Sequence, residues 1–101
     1  MNILDCIEIW IFSLRSTFEA ADIVVHFDRT IDQRPKAAVY FNLRRGETEA
    51  DLVVWESGEG ELSTTESDGT TKQEHFDSLL DIKELAAVLS RVAKIMRLAG
   101  S

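Results

Sequence analysis

Three carboxylates, a tryptophan and a serine–glycine pair fall within one ten-residue stretch, Leu52-Val53-Val54-Trp55-Glu56-Ser57-Gly58-Glu59-Gly60-Glu61. Each residue type admits a chemistry. Glu59 and Glu61 could divide the roles of general acid and base, but a meander of this length offers little cavity for a substrate. Ser57 beside Gly58 suggests a nucleophile elbow. That motif is G-x-S-x-G between a strand and a helix, whereas here Trp55 and Glu59 stand at the glycine positions and a strand follows. Gly58 and Gly60 are not a phosphate cradle, because no helix follows and the neighbouring acids repel phosphate. Recognition survives this elimination. Trp55 would be the apolar anchor, and Glu56, Ser57, Glu59 and Glu61 would offer partners to arginine or lysine. Spacing alone leaves Trp55 open as either core or interface.

The rest of the chain adds no reactive centre. His26, His75 and Cys6 lack the close spacing of metal ligands. Cys6 sits in an apolar helical pattern with no activating partner. The expectation is therefore a protein without catalytic residues, metal or cofactor. A lone cysteine permits no internal disulfide and suits a reducing cytoplasm.

Charge narrows the choice of partner. The 101 residues carry a net −7. Residues 1–46 are balanced, residues 47–84 hold twelve acids against Lys72 and Lys83, and residues 85–101 carry Arg91, Lys94 and Arg97 without an acid. Phosphate neutralisation needs clustered bases, so nucleic acid and anionic membranes are disfavoured. A basic protein surface is favoured, since a focused acidic field steers it toward contact. The N-terminal stretch carries Asp5 and Glu8 where a signal peptide would be basic.

These residues must be positioned by one small domain spanning 1–101. Ile3, Ile7, Trp10, Ile11, Leu14 and Phe18 recur at helical spacing, predicting a helix over 3–20. Ile9 and Phe12 widen its apolar face, which suits either broad packing on a sheet or contact with a partner. Strands are expected over 22–28, 36–44, 50–56 and 61–66, with a weaker fifth over 70–76. The clearest alternation sets Ala37, Val39, Phe41 and Leu43 against Ala38, Tyr40, Asn42 and Arg44. A polar loop ends at Pro35, and Asp68-Gly69 marks a hairpin. Asp81 and Glu84 have capping-box spacing, with Leu80 and Leu85 placed for a hydrophobic staple. The apolar stripe Ile82, Leu85, Val88, Leu89, Val92, Ile95, Met96 and Ala99 then runs to Gly100. The fold class is α+β: an antiparallel meander of four to five strands, with both terminal helices on one face and the other face open.

Val54-Trp55-Glu56-Ser57-Gly58-Glu59, followed by an acidic strand, an Asp-Gly turn and an Asp-capped closing helix, resembles the TriTu-type immunity proteins of bacterial toxin–immunity pairs. The likeness covers the layout of residues 3–98, with motif character confined to 53–59. It implies a cytoplasmic inhibitor that neutralises a cognate ADP-ribosyltransferase toxin acting on elongation factor Tu. The implied mode is occlusion of the toxin's cleft. An acidic secretion chaperone that binds an effector protein is the alternative that composition supports.

Overall fold

The computed structural model describes residues 2–30 and 37–98. Pro35 and its loop, Lys36, Ala99 and Gly100 lie outside the described residues. The element order is α1 (Ile3–Ala20), β1 (Val24–Arg29), β2 (Ala38–Arg45), β3 (Thr48–Trp55), β4 (Gly60–Thr65), β5 (Thr71–Phe76) and α2 (Ile82–Leu98). The α+β expectation holds, and the weakly signalled fifth strand is a full member of the sheet. The strands pair in chain order, each antiparallel to the next.

Capping residues explain the limits of α1. The Asn2 side chain accepts a hydrogen bond from the Asp5 N–H at 3.0 Å, satisfying one of the free donors of the first turn. At the other end Asp22 takes a left-handed φ of +64°. The Asp22 N–H donates to the Glu19 carbonyl and the Ile23 N–H to the Phe18 carbonyl, a Schellman arrangement with Asp22 where glycine is usual. Ile23, just past the cap, is buried.

Both helices cover the same sheet face. Leu4, Ile7, Ile11 and Phe18 of α1, with Leu85, Val88, Leu89, Val92 and Met96 of α2, meet Val39, Phe41, Leu43, Leu52, Val54 and Leu62 in one core. Trp10 packs edge-on to Phe18 at 5.9 Å and against Phe41 at 5.7 Å between ring centroids. Arg29 ties β1 back to α1 through Asp5 at 2.8 Å and Glu8 at 3.3 Å. The Arg45 guanidinium donates to the Met96 and Arg97 carbonyls at the end of α2, where a cation complements the helix dipole.

Of the two readings of the wide apolar face of α1, broad packing on the sheet is corrected: Ile9 and Phe12 are 55% and 50% exposed, although Phe12 touches Phe27 at 5.2 Å between ring centroids. Leu80 does not serve as a buried staple residue. It is 59% exposed, and its neighbour Leu79 is the one buried. Ile82 likewise leaves the α2 stripe for solvent. Asp81 does cap α2, its carboxylate accepting from the Lys83 N–H at 2.9 Å. Adjacent residues in an extended connection point to opposite sides, so only one of Leu79 and Leu80 can turn inward.

Candidate protein-binding face

The turn between β3 and β4 is built on a three-residue loop. The Trp55 N–H donates to the Glu59 carbonyl, closing the hairpin, and the Gly58 N–H donates to the Trp55 carbonyl, both at 2.9 Å. Gly58 has φ +96°, the conformation that completes a type I turn with a glycine bulge. This turn is not a solvated tip. The Leu79 N–H donates to the Gly58 carbonyl at 2.6 Å, and both Gly58 and Gly60 are buried. A Cβ on Gly58 would lie 2.8 Å from Leu80 Cγ and 3.3 Å from the Leu79 backbone nitrogen; one on Gly60 would lie 2.8 Å from Leu79 Cδ1. The connection from β5 to α2 therefore runs across the turn and holds it.

This clamp separates the residues that the sequence groups together. Glu56 and Ser57 are exposed on the loop, and Glu59 is half-buried. Glu61 is not part of the turn. It lies in β4, in register with Val53 and His75, on the sheet face that the helices leave uncovered. Trp55 is neither core nor fully exposed. It is half-buried at the end of β3, on that same uncovered face, beside a groove lined by Asp28, Thr30, Ala38, Tyr40 and Val53.

The centre of the face is Tyr40, the chain's one tyrosine. Its hydroxyl donates to Asp51 Oδ1 at 2.7 Å. The Asn42 amide donates to the same oxygen at 2.5 Å and to Glu49 Oε2 at 2.9 Å. Burial, then the hydrogen bond to Asp51, pushes the Tyr40 phenol up to about 12. It therefore remains a protonated donor at neutral pH. On one side of Tyr40 lies a groove of about 410 Å³ bounded by Asp51, Val53, Glu61, Ser63, Gln73 and His75. On the other lies a more open one of about 610 Å³ with His26, Asp28, Asn42 and Glu49. Glu61 approaches His75 Nδ1 at 3.6 Å, and Asp77 approaches its Nε2 at 3.3 Å.

Strand alternation accounts for this assembly. Positions facing away from the helices bring Asp28 of β1, Tyr40 and Asn42 of β2, Glu49, Asp51, Val53 and Trp55 of β3, and Glu61 of β4 onto one surface. Among the described strand residues on that surface, Arg44 stands against four carboxylates. Sequence reasoning singles out Trp55 and Glu61 but passes over Tyr40, Asn42, Glu49 and Asp51. The signal was present in the alternation of Tyr40 with Asn42. Using it requires the register that sets Tyr40 opposite Val53 and Asn42 opposite Asp51.

Chemically, the face offers carboxylates fixed by neighbouring donors, an aromatic hydroxyl and a half-buried indole. Such a surface can receive cationic side chains with ordered geometry. No helix among the described residues is long and apolar enough to cross a membrane. No family model, no curated protein and no solved structure matches this chain.

Proposed function

We propose that this protein is an immunity protein. It binds a cognate bacterial toxin, an ADP-ribosyltransferase acting on elongation factor Tu, and neutralises it in the cytoplasm by occluding the active-site cleft without any catalysis of its own. One observation carries the reading: the uncovered sheet face presents Asp28, Glu49, Asp51 and Glu61 around Tyr40 and Trp55. A cleft that takes the pyrophosphate of NAD must offer positive potential, and an ordered acidic face competes for it. The resemblance of residues 53–59 to TriTu-type immunity proteins supplies the toxin class. Trp55 and Glu61 contribute from the face itself, and Glu56, Ser57 and Glu59 from its rim.

Co-expression with the toxin and pull-down of the pair test the proposal. Protection of the cells together with a stoichiometric complex is the expected result; neither protection nor complex ends the reading. Loss of transferase activity on binding separates it from a secretion chaperone, which would leave its client active. Within the complex, the double substitution Glu49→Lys/Glu61→Lys should slow association by about tenfold or more and weaken its salt dependence. Glu19→Lys/Glu84→Lys, on exposed helix surface, should change it little. An unaltered on-rate in the first variant would move the interface off this face.

A further inference from the structure

The sheet ends at β5, and its hydrogen-bond phase fixes what that edge displays. The Glu66 N–H donates to the Thr70 carbonyl, and the register continues as Thr64 with Lys72 and Leu62 with Glu74. Even-numbered residues of β5 therefore turn their backbone groups toward β4, and Thr71, Gln73 and His75 turn theirs outward. Every residue from Thr71 to His75 is exposed. An open edge of this kind is a template for another strand.

We propose that this edge binds the same edge of a second copy, antiparallel, with the two-fold axis through Gln73. Outward-facing groups must meet outward-facing groups, so the axis has to pass through a residue rather than between two. An axis at Lys72 sets Lys72 against its own copy, and one at Glu74 does the same for Glu74; like charges directly opposite are unfavourable. An axis at Gln73 sets Lys72 opposite Glu74 twice, on the helix-covered side. It sets Gln73 opposite Gln73 and Thr71 opposite His75 on the other. It also pairs the outward N–H and carbonyl of all three residues. Arg91, already on the Glu74 carboxylate, holds that carboxylate at the edge. The occupant is thus specified by charge register: a lysine and a glutamate two residues apart, which a two-fold axis brings together. The two acidic faces become one continuous surface on a ten-stranded sheet, doubling the sites for a basic partner.

Sedimentation equilibrium of the full chain, from micromolar to submillimolar concentration, should show a reversible dimer; a monomer throughout overturns the proposal. Gln73→Pro removes an N–H that points away from β4, so it spares the internal ladder. It should weaken the dimer by about tenfold or more, with an unchanged melting temperature at dilutions where the parent chain is monomeric, and an unweakened dimer in that folded variant rejects this edge. Lys72→Glu should also weaken association. Gln73→Cys, oxidised, should give a disulfide-linked dimer, because facing residues of a hydrogen-bonded pair lie about 5.5 Å apart at Cα. The parent chain with Cys6 alone and Lys72→Cys should not. Cross-linking at Lys72 instead of Gln73 contradicts the register. These measurements use the isolated chain, so failure here leaves toxin binding to stand or fall on its own assays.

Discussion

Two hairpin turns in this sheet share one backbone design and differ in everything around it. Glu56-Ser57-Gly58 joins β3 to β4, and Ser67-Asp68-Gly69 joins β4 to β5. In both, glycine donates to the carbonyl three residues back and the flanking pair closes with a further hydrogen bond. Both glycines have positive φ, +96° and +89°. Yet a Cβ on Gly58 would clash with Leu80 Cγ and crowd the Leu79 backbone nitrogen, while one on Gly69 meets nothing within 4 Å. The same local signal therefore marks a turn held by tertiary packing and a turn that stands free. Local chemistry sets the shape of a hairpin loop; only the rest of the fold decides how much depends on it.

Alanine substitutions grade that difference. Gly58→Ala combines a left-handed alanine with overpacking and should cost about 2–5 kcal/mol in denaturant unfolding. Gly60→Ala meets the Leu79 side chain instead, without a positive φ, and should cost about 1–3 kcal/mol. Gly69→Ala carries the conformational term alone, about 1–2 kcal/mol. Equal losses at Gly58 and Gly69 would show that the clamp by Leu79 and Leu80 contributes nothing. The smallest effect belongs to Asp68. The Thr70 backbone N–H, then its hydroxyl, holds this exposed carboxyl below the usual carboxylate range. Its folded pKa is thus depressed, so its contribution is present above the ordinary aspartate value and lost as pH falls through the lowered one. The melting-temperature difference between the parent chain and Asp68→Ala should accordingly be small at neutral pH and vanish in acid.

Much of the sheet is legible in the sequence. The alternation of Val39, Phe41 and Leu43 against Tyr40, Asn42 and Arg44 gives both faces of β2, and both helices follow from apolar spacing. What could not be read were relations across the chain. Leu79 stands beside Leu80 in the short connection to α2, so nothing local says which of the two enters the core or that the Leu79 N–H meets Gly58. Trp55 ends the run Leu52–Trp55, which is apolar on both sides, and only the register that carries Glu49 and Asp51 onto its side tells the open face from the covered one. Of the candidate residues, Glu61 belongs to the face for a reason of strand parity. Glu56, Ser57 and Glu59 neighbour it only in sequence, a proximity that the fold does not preserve.

Helix α2 follows β5 in the chain but packs on β2 and β3. Every strand pairing joins neighbours in sequence, so the hairpins can form from contacts of short range. Docking α2 requires the chain to return across β4 and β5, a long closure that is slow to form. The meander should therefore assemble first and its helix-facing side should be sealed last. Substitutions at Val92 or Met96 would then speed unfolding far more than they slow folding, whereas those at Phe41 or Leu52 would slow folding itself.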